Sequence, residues 1–180
     1  MCWRFFLAMN LNDTDFQLFA VPATFAQDRA ALDVRWKELQ REAHPDRFAA
    51  QGAAAQRVAM QWSVRINEAY ERLKHPLKRA CYLCELNGAS INAETNTAMP
   101  PAFLMQQMEW REALDDAMTL QDLDAIAAMA AKNIHEKLSK VEHFLDADHN
   151  FTAAAQQVRG LMFTERFASE VDARIDQLGQ

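Results

Sequence analysis

The stretch DRAALDVRWKELQREAHPD, residues 28–46, decides the fold of this chain. Its apolar side chains recur at spacings of four, three and four residues, at Leu32, Trp36, Leu39 and Ala43. That spacing places them on one face of an α-helix, and Asp28 is a residue type that caps helix N-termini. Pro45 cannot continue the helix, because its ring removes a backbone donor and clashes with the preceding turn. The stretch therefore predicts an amphipathic helix that ends at about Ala43.

A second striped helix is predicted over about residues 53–74, after a loop that reaches about Gly52. Its apolar positions are again spaced by three and four residues, at Ala59, Trp62, Ile66, Ala69 and Leu73. Two helices that each carry one apolar stripe and are joined by a loop pack antiparallel. Shorter helices are predicted on either side of this hairpin, over 14–19 and 75–86.

Composition favours an all-α protein in two parts. Of the 180 residues, half are hydrophobic, and only four are glycine and five proline, which is few for a turn-rich β fold. We expect an N-terminal extension over 1–11 (with Met9 as an alternative initiator), a first domain over 12–86, a linker over 87–100 and a second domain over 101–180. The second domain is predicted to be a three-helix bundle, with helices over about 101–118, 119–145 and 151–178.

Charge limits the classes of partner. Residues 12–80 carry eleven Lys and Arg against nine Asp and Glu, whereas residues 81–180 carry seven against sixteen. The acidic second part would repel phosphates, so we expect no nucleic acid partner. No stretch approaches the roughly 20 apolar residues that span a bilayer, so no membrane partner is expected either.

Cysteine usage points to a reducing compartment and to no metal site. The chain has three cysteines, and its start lacks the pattern of a signal peptide, which favours a cytoplasmic location. Cys81 and Cys84 would make only half of a zinc site. They lie three residues apart on a predicted helix, so we interpret both thiols as small apolar core residues and expect no metal or cofactor.

The motif His44-Pro45-Asp46 is the first candidate functional site. Proline restricts the backbone, so the flanking side chains lose little entropy on binding, and Asp46 can accept charge-assisted hydrogen bonds from a partner's arginine. Lys37 and Arg41 lie one turn apart and form a positive strip suited to an acidic surface. By themselves these features also fit a helix stop and a solvated basic face. A catalytic dyad is a poor interpretation, because no nucleophile or metal-ligand cluster accompanies the motif.

The flanking helices carry further signals, namely Ile66-Asn67-Glu68-Ala69-Tyr70-Glu71-Arg72-Leu73, the opening residues 15–22 and the Pro76…Arg79…Tyr82 run. Over about residues 12–84 this arrangement resembles the J domain of DnaJ-type co-chaperones. The resemblance implies that the domain stimulates ATP hydrolysis in a DnaK-type chaperone, and that His44, Pro45 and Asp46 carry this effect. The docking charges that it implies are Arg35, Lys37, Arg41 and Arg47.

The helix over 101–118 has two different faces. At 100° per residue, one face collects a core stripe of Phe103, Gln107, Trp110, Leu114 and Ala117. The opposite face mixes apolar and acidic side chains, which are Leu104, Met105, Met108, Glu109, Glu112 and Asp116. Methionine is common at adaptable peptide-binding surfaces, and neighbouring carboxylates favour a basic partner segment. Packing of the methionines against another helix of the bundle is the alternative.

This second part is similar to the C-terminal domain of the HscB family, the J-proteins of iron–sulfur cluster assembly. The similar residues are Ala102-Phe103-Leu104-Met105, Gln107, Glu109, Arg111-Glu112, Leu114-Asp115 and, on the last helix, Val158-Arg159, Leu161 and Phe163. The resemblance implies that the helix binds the cluster scaffold IscU through Leu104, Met105, Met108, Glu109, Glu112 and Asp116. It implies a further contact at Phe163, for which a place in the bundle core is the alternative.

Taken together, the two resemblances imply a non-enzymatic co-chaperone that engages the DnaK-like chaperone HscA and delivers IscU to it. We expect the chain itself to bind no cluster, because it lacks suitable cysteines. The alternative is a general J-domain protein for other clients. That alternative predicts a Gly/Phe-rich segment or a paired-cysteine zinc region after the J domain, and the sequence contains neither.

Overall fold

The computed structural model describes residue 10, residues 12–91 and residues 99–179. Its regular structure is helical, with no strand among those residues, which confirms the predicted all-α class. The chain divides into two compact units, residues 1–82 and residues 83–180. The expected extension over 1–11 lies outside the described residues except for Asn10, and so does the part of the expected linker that spans 92–98.

The N-terminal helices match their predicted ranges closely. They are α1 (Asp15–Phe19), α2 (Arg29–Glu42), α3 (Ala53–Lys74) and α4 (Pro76–Leu86), of which α4 crosses into the second unit. Asp28 caps α2 as predicted, because its carboxylate accepts hydrogen bonds from the backbone N–H groups of Ala30 and Ala31.

The segment between α2 and α3 is not the loop that the sequence predicts. Residues Pro45–Gln51 form a 3₁₀ helix. Pro45 occupies its first position, where no backbone donor is needed, and Phe48 turns its ring into the core, where it is 2% exposed. Gly52 then ends the segment at φ 94°, a conformation that side-chain-bearing residues rarely adopt.

A polar layer reinforces the apolar seam between α2 and α3. The predicted stripe residues of both helices are buried except for Trp36, which is half-buried and stacks on Tyr70 with ring centroids 4.8 Å apart. The Trp36 indole N–H and the Gln40 amide both donate to Asn67 Oδ1, at 2.9 and 2.7 Å. Because Asn67 accepts from two positions one turn apart on α2, it sets the register of the hairpin.

A buried charge attaches α1 to the hairpin. Asp15 is fully buried, and its carboxylate pairs with Arg65 Nη2 at 2.6 Å and with Arg72 Nε at 3.2 Å. Its backbone N–H donates to the hydroxyl of Tyr82 at 3.0 Å, and the Tyr82 ring stacks on Phe16. A buried carboxylate is tolerated only when it is paired, so α1 has essentially one way to dock.

The C-terminal unit is built from three long helices. They are α5 (Pro101–Asp116), α6 (Leu120–Glu142) and α7 (Phe151–Leu178). Their core is formed by Trp110, Ala117, Leu123, Ile126, Ala130, Phe167 and Val171. A capping box of Thr119 and Asp122 begins α6, and the hydrogen bonds from Thr119 lower the pKa of the Asp122 carboxyl.

The end of one helix in this unit differs from the sequence expectation. Regular α6 ends at Glu142 and widens into a π-helical turn over His143–Ala147, where a helix to about 145 is predicted. Gly160 does not interrupt α7, which is continuous over its whole length.

Cys84 is fully buried, as expected of a core thiol, whereas Cys81 is half-buried. No helix in the described ranges is long and apolar enough to cross a membrane.

We predict that Asp15→Asn lowers the unfolding free energy of the N-terminal unit by about 3–5 kcal/mol, because two partly buried arginines lose their counter-charge. Native-state hydrogen exchange read by mass spectrometry measures this, since it reports residues 12–82 and 99–179 separately. Glu38→Gln is the control, because it removes only the exposed ion pair with Arg35 and should cost about 1 kcal/mol or less. Equal losses in the two variants would contradict the assignment of Asp15.

Candidate functional site

The motif His44-Pro45-Asp46 lies at the junction of α2 and the 3₁₀ helix, with its polar side chains exposed. The His44 and Asp46 side chains are 58% and 89% exposed. His44 Nδ1 accepts a hydrogen bond from the Asp46 backbone N–H at 3.3 Å. In the neutral ring the proton is therefore assigned to Nε2, which can donate to a partner. The backbone itself arranges the motif before any partner binds.

Three of the four predicted docking charges are exposed to solvent. They are Lys37, Arg41 and Arg47. The Arg47 guanidinium donates to the backbone carbonyl of Arg41 at 3.1 Å, which satisfies a carbonyl at the C-terminus of α2 and brings the two side chains to one end of the hairpin. Arg35 differs, because it is half-buried and pairs with Glu38 at 3.3 Å.

Sequence reasoning did not single out an apolar patch on the outer face of α3. Met60 and Val64 are 58% and 52% exposed. They line a shallow groove of about 440 Å³ together with Arg57, Gln61, Arg65 and Glu68. The signal was available in the sequence, because both residues fall outside the buried stripe of α3 and are apolar nonetheless.

The α5 face, defined as Leu104, Met105, Met108, Glu109, Glu112 and Asp116, lies open to solvent within its unit. Leu104, Met105 and Met108 are 48%, 63% and 62% exposed, and the three acidic residues are exposed as well. Trp110 and Ala117 are buried, and the rest of the predicted core stripe is half-buried. Among the described residues of the unit, the alternative of methionines packed against another helix is therefore wrong.

Phe163 fits both of its interpretations in part, as a surface contact for the scaffold and as a residue of the bundle core. Its side chain is 44% exposed, yet its ring makes an edge-to-face contact with Phe103, with centroids 6.0 Å apart. The contact joins α7 to the N-terminal half of α5. Met118 and Leu120, which follow α5 and are 81% and 45% exposed, were not predicted as surface residues.

The α5 face places apolar side chains next to acidic ones. No group of three or more His, Cys, Asp or Glu side chains in the described parts of the chain is arranged to hold a metal ion. Adjacent apolar and acidic side chains instead suit a partner segment that is itself apolar and basic.

Comparison with known proteins identifies relatives over almost the whole chain. A family model described as the HSCB C-terminal oligomerisation domain matches residues 99–172. A protein of Burkholderia multivorans called co-chaperone protein HscB homolog is 53% identical over 173 residues, covering 94% of this chain and 98% of the relative. A protein of the same description from Paraburkholderia xenovorans is 50% identical over 172 residues, with the same coverage.

Comparison with solved structures identifies the same family of proteins. Chaperone HscB from Vibrio cholerae is 34% identical and superposes with a TM-score of 0.81, covering 92% of this chain and 99% of that one. Human co-chaperone protein HscB is 27% identical, with a TM-score of 0.83 and coverage of 94% and 83%. The chain therefore belongs to the HscB family, the J-domain co-chaperones of iron–sulfur cluster assembly.

Proposed function

We propose that this chain stimulates the ATPase of the DnaK-like chaperone HscA and delivers the iron–sulfur scaffold IscU to it, without catalysing a reaction itself. The observation that carries the proposal is the exposure of the α5 face. Three large apolar side chains lie there in water beside three carboxylates, whereas Trp110 and Ala117 of the opposite stripe are buried. Exposed apolar clusters rimmed by charge mark interaction sites.

The α5 face supplies the scaffold-binding half of this function. Leu104, Met105 and Met108 provide apolar area that flexible methionines can fit to a partner. Glu109, Glu112 and Asp116 select a partner segment that carries lysine or arginine. Phe163 extends the apolar area from α7, and its contact with Phe103 holds its ring in place.

The N-terminal unit supplies the chaperone-binding half. His44 and Asp46 are exposed and their backbone is already ordered by Pro45 and the 3₁₀ helix, so little entropy is lost on docking. Lys37, Arg41 and Arg47 attract an acidic surface and raise the association rate. Arg35 contributes less to this step in our proposal, because Glu38 already neutralises it.

The two halves act together because one chain carries both. When the scaffold is bound to one unit and the chaperone to the other, their encounter becomes intramolecular and its effective concentration rises. Stimulated ATP hydrolysis then coincides with the presence of the substrate. A general J-protein would lack this coupling to one client.

We predict that HscA hydrolyses ATP faster with the chain present, and faster still when IscU is added. His44→Gln should abolish the stimulation and leave IscU binding unchanged, because His44 is exposed and contributes nothing to either core. Steady-state phosphate release measures the first effect, and calorimetry with IscU measures the second. Stimulation by the variant equal to that of the native chain would overturn the role of the motif. An absence of synergy with IscU would favour the general J-protein.

Replacing Leu104, Met105 and Met108 together by alanine should weaken IscU binding by about 2 kcal/mol or more, on the scale of interface hot spots. Calorimetric titration of IscU gives the affinity, and circular dichroism checks that helix content is retained. The matched control is Met129→Ala with Leu178→Ala, two exposed apolar residues on α6 and α7. If both variants bind as the native chain does, the α5 face is not the scaffold site.

Lys37→Gln and Arg41→Gln should each raise the concentration of chain needed for half-maximal ATPase stimulation. The effect should shrink as salt is added, since exposed charges act over only about 10 Å at 0.1 M ionic strength. Lys78→Gln on α4 is the control for the loss of one exposed positive charge. Equal effects in all three variants would mean that net charge alone, and no docking strip, is responsible.

A further inference from the structure

A pocket of about 350 Å³ lies inside the C-terminal unit, apart from the α5 face. The start of α5, the C-terminal part of α6 and the first half of α7 line it. Its lining includes Phe103, Lys137, Gln156, Gln157, Arg159 and Gly160. A pocket of this size is at the lower end of the range for small-molecule sites, and its polar lining residues are cationic or amide.

Lys137 is a half-buried cation in the lining of this pocket. Its ammonium group lies 4.8 Å from the centre of the Phe103 ring, and it forms no ion pair with any carboxylate of the described residues. Burial lowers the pKa of Lys137, and the charge of Lys140 adds to the effect. A cation–π contact offsets only part of the cost of removing an ammonium group from water, so an anion would be stabilised here.

Arg159 adds a second cation with unused donors. Its Nη1 donates to the backbone carbonyl of Ile91 at 3.3 Å, which fixes the side chain. Its Nε is buried and has no hydrogen-bond partner among the described residues. A guanidinium held in this way can offer donors in a fixed geometry to a carboxylate or phosphate oxygen.

Gly160 keeps the pocket open at its narrowest point. A Cβ atom at this position would lie 3.0 Å from Lys137 Nζ and 3.6 Å from the Phe103 ring. The glycine sits inside α7, where alanine is the better helix former. Helix propensity therefore does not explain a glycine here, whereas room for Lys137 does.

We propose that this pocket binds a small organic anion through its carboxylate or phosphate oxygens, with Lys137 and Arg159 as the charged ligands and the Gln156 and Gln157 amides as further donors. The apolar part of the molecule would lie against Phe103. The proposal does not depend on the function proposed above.

The test uses the full chain with two probes, succinate and inorganic phosphate, at constant ionic strength. Heteronuclear NMR follows the Lys137 side chain and the Gly160 amide. We expect one of the probes to saturate at a single site with a dissociation constant below about 1 mM. The probe that saturates identifies the anionic group. Shifts that stay linear with concentration for both probes would refute the site.

Variants distinguish a specific binding site from nonspecific electrostatic attraction. Lys137→Gln and Arg159→Gln should each weaken binding about tenfold or more, as expected for a lost hydrogen bond to a charged group. Lys132→Gln, an exposed lysine on α6, removes the same net charge and should leave binding unchanged. Equal weakening by Lys132→Gln overturns the proposal.

Two further variants address folding and internal pairing. Gly160→Ala should weaken binding while leaving the unfolding midpoint unchanged or higher, so its loss of binding is not a folding defect. Unchanged binding in Gly160→Ala counts against the pocket.

Glu94 is the acidic residue of the chain between Ile91 and Met99. If Glu94→Gln alone shifts the Lys137 signals as far as saturating probe does, the counter-ion is the chain's own carboxylate and the proposal fails.

Discussion

The buried carboxylate of Asp15 is the constraint on which the N-terminal unit depends. It must be paired, and its two partners, Arg65 and Arg72, lie about two turns apart on α3. This requirement fixes α1 along α3, and the Tyr82 hydroxyl that accepts from the Asp15 backbone ties in α4 as well. The interaction determines where α1 docks more than it adds to stability, because the cost of burying the charge offsets much of the attraction.

The geometry of the hairpin matters to the proposed function because the predicted chaperone-binding motif lies at the end of α2. His44-Pro45-Asp46 is short and exposed, and it has no packing of its own to hold it. Phe48 anchors the following 3₁₀ helix in the core, and Ser63 Oγ donates to the Ala43 carbonyl at 3.2 Å just before the motif. The position of the motif is therefore set by buried neighbours on both sides, as a binding site on a scaffold requires.

Sequence periodicity predicts most of this fold, because strong apolar stripes are local signals. The stripe of α3 and the two-faced pattern of α5 were both readable from residue spacing alone, and the family relationship confirms the all-α class and the co-chaperone role. The roles of the individual site residues stay predictions. Periodicity could not show two features that join residues distant in sequence, which are the burial of Asp15 and the pocket that Lys137 and Arg159 both line. It also could not show the 3₁₀ winding after Pro45.

The fold keeps the thiol of Cys84 unreactive. Burial raises the pKa of its thiol to about 11, so only about one molecule in ten thousand carries the thiolate at pH 7. The thiolate is the form that binds iron or reacts with sulfur species. By holding Cys84 protonated inside the C-terminal unit, the chain does not compete at this position for the cargo whose assembly it serves.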